Sequence, residues 1–133
     1  MLTQKLLIVD DQPEIRKMLR IALGYGKYQL YEADNGDAAL AVAHAEKPDV
    51  ILLDVSMPGI LDGFAVCRAV KQDPNLSGTF VVMLTARGSL EDYRAGDASG
   101  ADAYMIKPCT LAKLIEVVEK RENPGSPVRA YTS

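Results

Sequence analysis

The sequence predicts an α/β fold, a doubly wound parallel sheet covered by helices on both faces. Two observations carry this expectation. Apolar runs of strand length alternate with segments of helical periodicity, the pattern of repeated βαβ units. Three of the runs, at 5–9, 49–53 and 79–84, are also nearly continuous in Val, Ile and Leu, as strands buried on both faces require.

The elements follow in order. The first strand, 5–9, reads KLLIV. Asp11 with Glu14 three residues on, and Pro13 between them, then marks a helix start. Ile15, Met18, Leu19 and Ala22 recur at helical spacing and predict its buried stripe. The second strand, 28–33, carries Tyr28, Leu30 and Glu32, a lower apolar density that suits a sheet edge. A helix over 36–46 presents Ala39, Val42 and Ala43 and stops before Pro48. After the third strand, 49–53, a helix over 63–72 carries Phe64, Cys67 and Val70. The fourth strand is 79–84. A fourth helix over 89–98 is poorly supported, with Leu90, Tyr93 and Ala98 around an internal Gly96 and Gly100 at its end. Weak packing lowers the free energy of local rearrangement, so this segment is a candidate mobile element. The fifth strand, 103–106, precedes a clear last helix through Leu111, Leu114, Ile115 and Val118. Beyond Glu122 the run NPGSPVRAYTS has no periodicity. Residues 1–122 therefore read as one domain, and 123–133 as a flexible tail or the start of a linker.

Composition narrows the function classes. The 133 residues are 48% hydrophobic and 25% charged, values of a soluble globular protein. A net charge of −3 gives no support to direct nucleic-acid binding or a membrane-surface role. No apolar run approaches a membrane span, and the opening MLTQKLLIVDD turns acidic too soon for a signal peptide. Cys67 and Cys109 match no metal spacing and read as reduced thiols, so a cytoplasmic location is expected.

The chemistry gathers at strand ends. The four runs other than the second lead at once into the polar residues Asp10 and Asp11, Asp54, Thr85 and Lys107. In an open parallel sheet these ends share one edge, where ligands bind. If the strand order is 2-1-3-4-5, strands one and three adjoin, and Asp10, Asp11 and Asp54 meet. Three carboxylates repel one another, and a hard divalent cation relieves that repulsion. Few-carboxylate sites shared with phosphate suit Mg²⁺. A lysine and a hydroxyl opposite the metal can bind phosphoryl oxygens, which suggests a phosphoryl site with a carboxylate acceptor. Each residue alone has a plainer reading. Asp11 could cap the first helix, Asp54 could open a loop, Thr85 could be a structural strand end, and Lys107-Pro108 a surface turn. Their convergence on one edge outweighs those readings.

Taken together, the pieces resemble the receiver domains of two-component response regulators. They run in order: Asp10-Asp11, DVSMPG from Asp54 to Gly59, Asp62-Gly63, Thr85-Ala86 and GADAYMIKP from Gly100 to Pro108. The resemblance covers about residues 5–121, and the ordered set is far more specific than any one piece. It implies a flavodoxin-like (βα)5 fold with strand order 2-1-3-4-5. It also implies that Asp54 takes a phosphoryl group from a histidine kinase, a histidine phosphotransfer protein or a small phosphodonor. Asp11 would bind Mg²⁺ directly, Asp10 mostly through water, and the backbone carbonyl of Ser56 would complete the ligands with Asp54. Lys107 would contact the phosphoryl group, Thr85 would hydrogen-bond it, and the small Ala86 would leave access. The Lys107–Pro108 bond is expected to be cis. Switching would draw Thr85 inward and let Tyr104 turn in from the surface. The fourth helix, fifth strand and last helix would then present a changed face.

Three features depart from the family pattern or tune it. Gly59, Ile60 and Leu61 separate Met57-Pro58 from Asp62-Gly63, one residue more than is usual. Ser56 and Arg87 occupy positions expected to govern water access to the acyl phosphate. A haloacid-dehalogenase-like hydrolase would need a second acid two residues after its nucleophile, where this chain has Ser56. A phosphoacceptor rather than a turnover enzyme is therefore expected. No GxxxxGK[ST] or GxGxxG supports a nucleotide site. A pseudo-receiver used only for docking would not need the intact Asp10, Asp11, Asp54, Thr85 and Lys107. The output domain or effector, and any phosphorylation-dependent homodimer, are not legible in the sequence.

Overall fold

The computed structural model describes residues 4–24, 27–55, 62–76, 78–85, 94, 98–106, 110–120 and 130–131. Its strands are β1 (Gln4–Val9), β2 (Tyr28–Ala33), β3 (Val50–Asp54), β4 (Phe80–Thr85), β5 (Ala103–Ile106) and β6 (Ala130–Tyr131). All pair in parallel, in the order β2-β1-β3-β4-β5-β6. The first five strands thus take the expected order 2-1-3-4-5. The short β6 sets Ala130 beside Tyr104 and Tyr131 beside Met105, in a stretch without strand periodicity.

The helices are α1 (Pro13–Leu23), α2 (Gly36–Glu46), α3 (Gly63–Gln72) and a last helix (Leu111–Lys120). Bounds for β2, β5, α2 and α3 coincide with the sequence expectation. β3 and β4 run one residue further, because Asp54 still pairs opposite Leu84 and Thr85 opposite Ile106. These two polar residues therefore end their strands rather than open the loops. The segment 89–98, expected as a fourth helix and mobile element, lies outside the described residues except for Arg94 and Ala98.

Strand alternation divides the core in two. Leu7, Val9, Ile51, Leu53, Val81 and Met83 face α2 and α3 through Ala39, Ala43, Val66, Cys67 and Val70. Leu6, Ile8, Leu52, Val82 and Leu84 face α1 and the last helix through Leu19, Leu23, Leu114, Val117 and Val118. Each large apolar side chain so buried contributes roughly 1.5–3 kcal/mol. Met18, expected in the α1 stripe, is 45% exposed. The helix instead turns Ile15, Leu19 and Leu23 to the sheet, one residue per turn along a single row.

Local signals explain where helices begin and end. Asn35 caps α2 by accepting from the Ala38 N–H at 2.8 Å, and Lys47, with φ 49°, ends it just before Pro48. At the amino ends of the strands, Lys71 Nζ donates to the Thr79 carbonyl and pairs with Asp102 Oδ2, both at 2.6 Å. The same Asp102 oxygen accepts from the Val81 N–H at 2.9 Å, so α3, β4 and the lead into β5 are tied together.

Cys67 is fully buried, and burial pushes its thiol pKa up. We expect alkylation of Cys67, followed by peptide mass mapping, to run roughly a hundredfold or more slower in the native protein than in urea. Equal rates would contradict its place in the core. Among the described residues, no helix is long and apolar enough to cross a membrane.

Candidate functional site

The carboxyl ends of β1, β3 and β4 bring the acids and the hydroxyl to one edge. Asp10 and Asp11 follow β1, Asp54 ends β3 and Thr85 ends β4. One carboxylate oxygen from each of Asp10, Asp11 and Asp54 lies within 4.8 Å of the others. Asp10 is only 1% exposed and Asp54 5%, while Asp11 is half-buried.

The β1–α1 turn explains how two adjacent acids point into one site. The Asp10 N–H donates to the Ala33 carbonyl of β2 at 3.1 Å, prolonging the ladder by one bond. Asp10 Oδ1 then accepts the Gln12 N–H at 2.9 Å, closing a tight turn. That turn moves the helix start. Gln12 is the N-cap and makes no side-chain capping bond, and Pro13 takes the first helical position, where no N–H needs a partner. Asp11 is therefore not the helix cap that its spacing to Glu14 suggests. Its carboxylate joins the acid cluster instead.

Asp54 is held from behind by α3. The Val55 N–H donates to the Leu84 carbonyl at 3.0 Å, and the Gly63 N–H to the Val55 carbonyl at 3.3 Å. A Cβ on Gly63 would lie 2.5 Å from the Asp54 carbonyl oxygen and 2.7 Å from Val55 Cα. Only glycine lets the start of α3 approach so closely. Its neighbour Asp62 caps α3 by accepting from the Ala65 N–H at 2.9 Å. The Asp62-Gly63 pair thus serves the placement of Asp54, a role that no local spacing announces.

Thr85 is fully buried. Tyr104, two residues before the β5 partner of Thr85, is 4% exposed and packs in the cluster with Met83 and Ala101. Its ring is already inside, not at the surface from which an inward turn is expected. Ser56, Ala86, Arg87, Lys107 and Pro108, with the Lys107–Pro108 bond and the Gly59–Leu61 insertion, lie outside the described residues.

The donor set is all oxygen and bears three negative charges in a small volume. Without a counter-charge these carboxylates raise one another's free energy. Hard divalent cations prefer such donors, so the cluster fits Mg²⁺ better than a metal seeking sulfur or nitrogen. Sequence reasoning missed Arg16, which reaches from α1 to the Asp10 carbonyl and to Glu32 on β2. Its only sequence signal is a cation in the first turns of the helix that follows the acid pair.

Comparison with known proteins agrees with this geometry. The family model for the response regulator receiver domain matches residues 6–119. A probable transcriptional regulator ycf27 of Guillardia theta is 40% identical over 126 residues, covering 92% of this chain and 48% of the relative. The transcriptional regulatory protein ResD of Bacillus subtilis is 41% identical over 111 residues, covering 84% of this chain and 45% of its own length. This chain spans about half the length of such curated relatives. The solved chemotaxis response regulator CheY4 of Vibrio cholerae superposes with a TM-score of 0.82 at 34% identity, covering 90% of this chain and 98% of that one.

Proposed function

Because this chain belongs to the response-regulator receiver family, we propose that it stores a signal as an acyl phosphate on Asp54 in a Mg²⁺-dependent reaction. The observation that carries this reading is the convergence of the Asp10, Asp11 and Asp54 oxygens within 4.8 Å. A carboxylate oxygen of Asp54 attacks phosphorus on the donor, a phosphohistidine of a kinase or phosphotransfer protein. The P–N bond breaks, and the leaving imidazole keeps the electron pair and takes up a proton. Asp10, Asp11, Asp54 and the Ser56 carbonyl would hold the metal. Bound there, Mg²⁺ supplies neutralisation of the clustered carboxylates and of the incoming phosphoryl oxygens.

The chain's own groups do the rest. Lys107, directly after β5, neutralises a phosphoryl oxygen, and Thr85 donates its hydroxyl to another. Ala86 leaves the approach open, and Ser56 and Arg87 control the entry of water. With Ser56 rather than a carboxylate two residues after Asp54, no general base stands there to activate water, so the acyl phosphate persists rather than turning over. Thr85, paired with Ile106 of β5, carries the change to the fifth strand and the last helix, which meet a partner. Since the relatives extend well beyond the matched length and are named as transcriptional regulators, that partner is an output domain or a separate effector in the cytoplasm.

The test is direct. Incubation with acetyl phosphate and Mg²⁺, followed by intact mass measurement, is expected to add one phosphoryl group. The adduct is expected to vanish with chelator and in Asp54→Asn. Equal modification of Asp54→Asn would overturn the assignment.

A further inference from the structure

The structure holds the peptide between the two metal-site aspartates from outside the site, through a residue that touches neither carboxylate in the contacts described. Arg16 on α1 is partly buried, its side chain 19% exposed. Its Nη1 donates to the Asp10 carbonyl oxygen at 2.7 Å, and its Nε to Glu32 Oε1 at 3.3 Å. The other Glu32 oxygen accepts from Arg20 Nη1 at 2.5 Å. On its other side Asp10 is bonded through its N–H to Ala33, the residue after Glu32 on β2. A closed ring therefore runs from Asp10 to β2, through Glu32 to Arg16, and back to Asp10.

The Asp10 carbonyl belongs to the planar peptide unit that leads into Asp11. Holding its oxygen restrains that plane, and so narrows the backbone directions from which the two side chains leave. Mg²⁺ tolerates little departure from octahedral placement, so such a constraint bears directly on affinity. We propose that Arg16 is a positioning residue for the divalent-cation site. It acts by orienting the Asp10–Asp11 peptide and not by its charge. This inference rests on the Mg²⁺ reading above.

The two modes of action predict opposite signs. Arg16→Ala removes a positive charge beside an acidic site. Were Arg16 acting by charge, Mg²⁺ would bind more tightly. Acting by geometry, the loss is expected to weaken Mg²⁺ roughly tenfold or more. Arg16→Lys keeps the charge, but a single ammonium lacks the planar fork that serves the Asp10 carbonyl and Glu32 together. It is expected to remain severalfold weaker than the wild type. It also carries the comparison if the alanine variant does not fold.

The experiment is calorimetric titration with Mg²⁺ alone, well below each protein's unfolding midpoint, on wild type, Arg16→Ala, Arg16→Lys and the exposed-cation control Lys17→Ala. Weakening in both Arg16 variants, with unchanged or tighter binding in Lys17→Ala, supports the inference. Unchanged or tighter binding in Arg16→Ala, or full rescue by lysine, overturns it while leaving the Mg²⁺ site intact. Absence of binding by the wild type would overturn the Mg²⁺ reading, and this inference with it.

Discussion

Gly63→Ala is expected to destabilise the protein by about 1–3 kcal/mol and to slow phosphoryl uptake at Asp54 roughly tenfold or more. The new methyl carbon would sit 2.5 Å from the Asp54 carbonyl oxygen and 2.7 Å from Val55 Cα, and both obstacles are backbone. No rotamer change relieves such a clash. Either α3 retreats, losing the Gly63–Val55 hydrogen bond, or the end of β3 shifts and takes Asp54 out of register with the acid pair. Asp62→Ala makes the informative comparison. It removes the α3 cap, worth about 1 kcal/mol, but places no atom against β3. Urea unfolding and the rate of mass gain with acetyl phosphate separate the two. Both variants lose stability, and only Gly63→Ala loses speed out of proportion. Normal uptake in Gly63→Ala would show that Asp54 does not depend on this close approach.

The second large effect concerns the metal. A ligand that binds only the native state stabilises it by about 2.7 kcal/mol at a hundred times its dissociation constant. Excess Mg²⁺ is therefore expected to raise the unfolding midpoint by several degrees. Asp11→Asn is expected to abolish most of that increment. Without metal, the same variant is expected to be more stable than the wild type by on the order of 1 kcal/mol, because one of three mutually repelling carboxylates is gone. Mg²⁺ thus reverses the rank order of the two proteins. Thermal melts with chelator and with excess Mg²⁺ test this. An Asp11→Asn protein less stable than wild type in chelator, yet still responsive to Mg²⁺, would contradict the carboxylate cluster as the binding site.

These predictions draw on features that differ in how far the sequence revealed them. The strands were legible because βαβ units bury them on both faces, so Leu6 to Val9 and Val50 to Leu53 announce themselves by composition alone. The site's edge was legible for the same reason, since a polar residue at the end of such a run stands out. What escaped was set by tertiary contact. Asp54 and Thr85 count as strand residues because a neighbouring strand pairs with them, which no single strand's sequence records. Asp11 has a cap-like spacing, yet Asp10 takes the turn's hydrogen bond first and displaces the helix start. Met18 fits the helical stripe, but the sheet lies under Ile15, Leu19 and Leu23. The roles of Gly63 and Arg16 depend on backbone atoms remote in the chain, to which residue type is blind.

The pairing of β1 with β3 has a consequence for how the chain folds. Asp10 and Asp54 are 44 positions apart, and β2 is made between them. In the unfolded chain, Asp54 therefore lies far from the Asp10-Asp11 pair. Their mutual repulsion is created when β1 docks along β3, through a long loop whose closure already opposes folding. The closing of this central ladder is thus where conformational entropy and electrostatic repulsion oppose the chain together. The same chain crossing that builds the acidic edge brings its three carboxylates together only once β1 and β3 have paired.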